Sequence, residues 1–218
     1  MKVLIACEES QRVCSAFRIR GHEAYSCDLL APSGGHAEWH IQRNVLEILN
    51  PNINTNKIEF VTMDGTNHIV EGAWDMIIAF PPCTHLCNTG QRWFIENKKP
   101  MKLQREAIAF FYQFVMADCK KIVIENPMGI MSTCYRSPDQ IINPYNFGEP
   151  YSKKTCLWLK GVKPLQIKYS EKPKDCYSYA WNTKDDNGKY LSWSSDEIKI
   201  QRSKTFVSIA NAMAENWG

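Results

Sequence analysis

The sequence has no apolar run approaching the roughly 18 residues of a membrane-spanning helix, and no secretory-signal pattern at its start. It has no C-x-x-C pair, and its nine cysteines are scattered, so neither a dense disulfide framework nor a structural zinc pattern is written in it. The nearest grouping, Cys83, His85 and Cys87, has a spacing that suits an isolated zinc site poorly, and no metal is expected. Strong charge is missing as well: a formal net charge of +3 is too small to mark a general nucleic-acid binder. Internal repeats and low-complexity stretches are absent, which excludes a solenoid or a linker-rich chain. These absences leave a reducing, cytoplasmic globular protein as the expectation.

What is present is enough for one core. With 218 residues and 44% hydrophobic content, residues 1–218 are expected to form a single α/β domain. Lys2 to Cys7 is a short apolar run of strand length, Val13 to Ile19 fits a short helix that Gly21 ends, and Ala24 to Cys27 resumes an extended run stopping at Asp28. Further runs end at Asp64, at Pro81-Pro82-Cys83 and at Glu125, and helices are predicted over residues 102–119 and 203–217. Repeated strand and helix units predict a parallel sheet with helices on both faces, which binds ligands beyond the carboxyl ends of its strands. Asp28, Asp64, Cys83 and Glu125 are therefore expected on one edge.

Two segments carry the sharpest chemistry. In Phe80-Pro-Pro-Cys-Thr84 the prolines make a rigid turn after a buried strand and present a thiol. In Ile122-Val-Ile-Glu-Asn-Pro127 a carboxylate ends a second strand. Together they resemble the Pro-Cys and Glu-Asn-Val motifs of the cytosine-5 DNA methyltransferases, and the likeness runs along most of the chain in that family's order. It implies a Rossmann-like S-adenosylmethionine-dependent sheet and a covalent mechanism in which Cys83 adds to cytosine while Glu125 holds and protonates the ring. Lys153 falls where the family has a catalytic arginine, in Gly148-Glu-Pro-Tyr-Ser-Lys-Lys-Thr155, and Arg136 is a second candidate for that basic group.

The resemblance also implies a cofactor site. Asp28 would hold the ribose and Asp64 the adenine, Pro81 would line the pocket, and Asn211, in Ser208-Ile-Ala-Asn-Ala-Met213, would close it. The family's glycine loop corresponds to Ala6-Cys-Glu-Glu-Ser-Gln-Arg12, which contains no glycine. Side-chain contacts from Cys7, Glu8, Glu9 or Ser10 would have to replace close backbone approach, or else cofactor binding is weakened. Pro82, Asn126, Gln91, Arg92 and Trp93 would face the substrate, a DNA cytosine rotated out of its duplex.

Residues 160–200 stand where the family carries its recognition domain. Their cations and aromatics, Lys168, Tyr169, Lys172, Lys174, Tyr177, Tyr179 and Trp181, form either a small nucleic-acid contact or an ordinary surface hairpin turning at Asp185 to Gly188. So small an insertion implies a short target or a partner chain that aids recognition. The compact form suggests a bacteriophage or mobile-element protein, acting in a bacterial or phage-infected cell to protect DNA from restriction. Methylation of RNA cytosine, an altered cofactor, and a catalytically inactive DNA- or nucleotide-binding protein are the alternatives.

Overall fold

In a computed structural model of the chain, residues 1–179, 183–185, 187–192 and 196–218 are described. Trp181 lies outside them. The chain runs β1 (Lys2–Ala6), α1 (Arg12–Ile19), β2 (Glu23–Asp28), β3 (His40–Gln42), β4 (Lys57–Val61), β5 (Asn67–Glu71), β6 (Met76–Ala79), α2 (Asn88–Ile95), α3 (Met101–Val115), β7 (Ile122–Pro127), α4 (Met131–Cys134), β8 (Gln140–Ile142), β9 (Tyr151–Ser152), β10 (Thr155–Lys160), β11 (Tyr177–Ser178), α5 (Asp196–Ser203) and α6 (Val207–Trp217).

Seven strands form one sheet in the order β3-β2-β1-β6-β7-β10-β8. The first five are parallel, and β10 is antiparallel to both β7 and β8. Alternation along the strands divides the core between two faces. Leu4 and Ala6 of β1, with Ile77 and Ala79 of β6, pack with Phe111 and Phe114 of α3. Val3 and Ile5, with Met76 and Ile78, meet Phe17 of α1 and Met213 and Trp217 of α6. Each of the larger side chains contributes about 1.5–3 kcal/mol by leaving water, and because both faces need covering the strands read as continuous apolar runs. The fold is thus α/β, a mostly parallel sheet with helices on both faces.

Three features depart from the sequence expectations. The run from Ile58 forms no part of the main sheet: β4 and β5 make a separate antiparallel hairpin. The predicted last helix forms as α6 from Val207, and a separate helix not expected from the sequence, α5, precedes it. The segment after Cys83 contains α2, where no helix was predicted. No helix among the described residues is long and apolar enough to cross a membrane.

Strand order reverses between β1 and β6: β2 and β3 follow on one side of β1, β6 and β7 on the other. The crevice beyond the carboxyl ends of β1 and β6 is where such sheets take their ligands. Cys7 and Glu8 leave β1 there, and Phe80 to Cys83 leave β6.

Candidate active site

The loop after β6 is held by the loop after β7. The Asn126 side-chain amide donates to the Pro81 carbonyl at 2.7 Å in a buried setting. Farther along, the Ile130 N–H donates to the Leu86 carbonyl at 2.9 Å and the Asn88 N–H to the Met128 carbonyl at 3.0 Å. Between them Gly129 passes so close that a Cβ there would fall on the Leu86 carbonyl oxygen. Two strand ends are thereby fastened to each other, with Cys83 exposed on one and Glu125 partly buried on the other.

Three of the expected catalytic residues meet electrostatically. Burial pushes the Glu125 carboxyl above its ordinary range, opposed by the nearby Lys153 ammonium and a hydrogen bond from the Thr155 hydroxyl. Burial pushes the Lys153 ammonium down, opposed by the charges of Glu125 and Cys83. Its Nζ donates to the Arg202 carbonyl at 2.7 Å. Lys153 stands two residues ahead of β10, whose antiparallel pairing sets Leu157 opposite Glu125. A thiol, a carboxyl group and an ammonium share one strand edge, which suits nucleophilic attack on a ring whose nitrogen and oxygen need a proton and a positive charge.

Arg136 is not part of this group. It pairs with Asp139 at 2.7 Å and donates to the Leu159 carbonyl at 3.1 Å. Leu159 faces Val123, two residues back along β7 from Glu125, so the guanidinium is anchored farther down the strand. Asp64 is also displaced. It sits in the turn of the β4–β5 hairpin, accepting from the Thr62 and Thr66 hydroxyls at 2.6 and 2.8 Å, and those bonds hold its carboxyl below the usual range. The third parallel strand end instead delivers Arg43 and Asn44, following β3. Sequence reading missed β3 because it is three residues long with a buried histidine in it. His40 is bonded at Nδ1 to the Ser26 hydroxyl (2.8 Å) and at Nε2 to the Leu30 carbonyl (2.9 Å).

The glycine-free loop keeps a backbone of glycine type. Cys7 and Gln11 adopt φ of 59° and 56°, left-handed positions that cost a non-glycine residue about 1–2 kcal/mol each. Gln11 is held there by its own side chain, which donates to the Ser26 hydroxyl and His36 carbonyl and accepts from the His36 N–H. Glu8 turns inward: its carboxylate accepts from the Val13 and Cys14 N–H groups at 2.7 and 3.1 Å, capping α1 from the loop. Burial lifts its ionisation to about 7, against those hydrogen bonds and one from Ser10. Glu8 therefore secures the loop and offers little to a ligand. Burial likewise pushes the Cys7 thiol up.

Glu9, the adjacent acid, is partly buried. Its Oε1 is buried with no hydrogen-bond partner, and its charge acts on both Asp28 and His40. Asp28 ends β2 partly buried, its carboxyl raised by burial and lowered by the Leu30 N–H it accepts at 2.9 Å. Ser10 and Asn211 meet elsewhere, lining a cavity of about 360 Å³ over the start of α1 with Arg12, Ser33 and Lys204. Such a volume is enough for part of a small ligand. No group of three or more His, Cys, Asp or Glu side chains among the described residues is placed to hold a metal.

On the substrate side, α2 carries Gln91, Arg92 and Trp93. The Arg92 guanidinium and Lys98 ammonium lie over the half-exposed Trp93 ring, at 4.7 and 5.2 Å from its centroid. Gln91 turns toward α3 and accepts from Gln104 at 3.2 Å. Pro82 is exposed beside Cys83. In the 160–200 segment, Lys184 bridges Tyr190 across a turn in which Asp185 accepts from the Asn187 and Lys189 N–H groups at 2.9 Å each, as the hairpin reading expects.

No protein-family model and no curated protein matches the sequence. Among solved structures, the chain is similar to a protein described as a DNA modification methyltransferase encoded within an E. coli prophage, at 12% identity and a TM-score of 0.46, over 79% of this chain and 52% of that one. It is also similar to the Entamoeba histolytica methyltransferase EhMeth, at 13% identity and a TM-score of 0.49, over 79% of this chain and 57% of that one. The chain thus spans little more than half the length of these neighbours.

Proposed function

We propose that the chain is an S-adenosylmethionine-dependent methyltransferase that modifies carbon 5 of cytosine in DNA through a covalent Cys83 adduct. One observation carries the reading: Cys83, Glu125 and Lys153 interact with one another at the carboxyl edge of the sheet. A core cysteine or a surface ion pair would not require all three there.

The residues beside this edge fit the cofactor. The unpartnered Glu9 oxygen suits an ammonium group, Asp28 a ribose, and the cavity over α1 the remainder of an amino-acid moiety. Cys7, Ser10, Pro81 and Asn211 would complete the enclosure, while Glu8 would support it from behind. Bound there, S-adenosylmethionine supplies an electrophilic methyl group.

The chain's own residues activate the base. Cys83 adds its sulfur to carbon 6 of cytosine, and the ring electron pair moves to carbon 5. Glu125, whose carboxyl burial raises above its ordinary range, donates to ring nitrogen 3 and carries the proton that neutralises the adduct. Lys153 sets a positive charge beside the ring. Asn126 keeps Cys83 in register through Pro81. Trp93, Arg92 and Lys98 would stack on and neutralise the displaced strand.

Incubation with methyl-labelled S-adenosylmethionine and, in parallel, mixed-sequence duplex DNA or RNA tests this. The expected product is 5-methylcytosine on nucleoside digestion, lost in Cys83→Ser. Label found only in RNA would redirect the substrate assignment. Tight cofactor or DNA binding with no label in either would favour the binding-protein reading, to which the inward-turned Glu8 lends support.

A further inference from the structure

Cys83 has a sulfur neighbour that the chemistry above does not use. The Cys87 N–H donates to the Cys83 carbonyl at 3.0 Å, closing a backbone turn that brings the two cysteines to the same side of the loop before α2. Cys87 is the cap residue of α2, where a helix stabilises negative charge. Its thiol lies 3.1 Å from the Thr89 hydroxyl. The backbone carrying both cysteines is clamped through an isolated bridge between Cys87 and Gly129, the same clamp that fixes the Glu125 loop.

We propose that Cys87 is the proton acceptor for Cys83, the two sulfurs holding one proton and one negative charge between them. The inference rests on the Cys83 chemistry proposed above. In the attack, the Cys83 S–H bond breaks as its sulfur bonds to carbon 6, the proton passes to the Cys87 thiolate, and the ring electron pair moves to carbon 5. Elimination reverses the transfer. The sulfur pair ends with the proton and charge it began with, and the proton that methyl transfer displaces from carbon 5 leaves to solvent water before elimination.

The electrostatics agree. A hydrogen bond from Cys83 is the largest influence on Cys87 and lowers it to about 5, assisted by Thr89 and the Gly90 N–H against burial. The same hydrogen bond, with the Cys87 and Glu125 charges, pushes Cys83 up, and Lys153 opposes this. The two values belong to the pair: one proton leaves easily and the second with difficulty. Glu125 and Lys153 are the charged groups facing it.

The test begins with the unmodified protein, free of cofactor and DNA: iodoacetamide pulses from pH 5 to 9, with labelled sites mapped by mass spectrometry and exposed Cys134 as internal reference. At pH 6 a thiol lowered to about 5 holds on the order of 10³-fold more thiolate than an ordinary one, offset by roughly 50–100-fold lower nucleophilicity. Cys87 is therefore expected to label about tenfold faster than Cys134 and to lose that lead as pH rises. Labelling of Cys87 that tracks Cys134 throughout would overturn the pair, whether or not the protein methylates DNA. In Cys87→Ser, adduct formation with 5-fluorocytosine DNA is expected to slow at least tenfold at pH 7 and to recover as pH rises. An unchanged rate and pH profile would overturn the proton-acceptor role while leaving Cys83 as nucleophile.

Discussion

Replacing Glu8 with glutamine should reshape the pH dependence of folding. In the folded chain this carboxyl is buried against Val13 and Cys14 and ionises near 7 instead of the ordinary 4.5. Its pKa is raised on folding, so the native state binds more protons than the unfolded chain between those values, and stability falls as pH rises across the interval. At about 1.4 kcal/mol per pH unit, an interval from 4.5 to about 7 removes about 3 kcal/mol by pH 8. Glu8→Gln keeps one acceptor for the α1 N–H groups and cannot ionise, so it avoids the loss. Relative to wild type it should lie within about 1 kcal/mol at pH 4.5 and gain about 2–3 kcal/mol at pH 8, after allowance for the weaker neutral cap. In a domain of this size that gain corresponds to about 4–12 °C in Tm. Urea unfolding of both proteins at pH 4.5, 6, 7 and 8 measures it. A wild-type-to-variant difference that does not change with pH would refute the assignment of Glu8 as a buried, reluctantly ionised cap.

Gly129→Ala should destabilise the chain by at least 2 kcal/mol in urea unfolding, because its Cβ meets the Leu86 backbone and neither loop can yield without losing the bonds from Ile130 and Asn88. Glu125→Gln should lower the rate of methylation at least a hundredfold with little change in cofactor affinity by calorimetry. In the wild type the rate should decline as pH rises through the raised carboxyl ionisation, since only the protonated form donates to the ring. Trp93→Ala should weaken DNA binding by about 1–3 kcal/mol in fluorescence anisotropy, the worth of one base-stacking platform, with thermal stability nearly unchanged because Trp93 is partly exposed.

The parallel half of the sheet was legible because β1, β6 and β7 are buried on both faces and so read as unbroken apolar runs. The antiparallel hairpin misled for the opposite reason. Along β4 burial alternates, with Ile58 and Phe60 inside and Glu59 and Val61 outside, and Asp64-Gly65 turns the chain with Gly65 at φ 87°. That alternation and that dipeptide are hairpin signals, and weighing them above the apolar content of Ile58 to Met63 would have removed Asp64 from the sheet edge. Asn44 stayed hidden because the strand before it is short and its buried member is a histidine. Glu8 and Glu9 are adjacent and chemically alike. Which one turns inward depends on the left-handed turn at Cys7, which no residue preference announces. The pairing of Cys87 with Cys83 was visible as a spacing, but it was weighed only as a metal ligand pattern.

The most direct test of the central claim is intact-mass analysis of the protein incubated with S-adenosylmethionine and a duplex bearing 5-fluorocytosine, whose fluorine blocks elimination of the adduct. A protein–DNA species carrying one added methyl group, mapped to Cys83 and missing in Cys83→Ser, is the predicted result. Unreacted protein under conditions where cofactor and duplex are both bound would contradict the covalent mechanism.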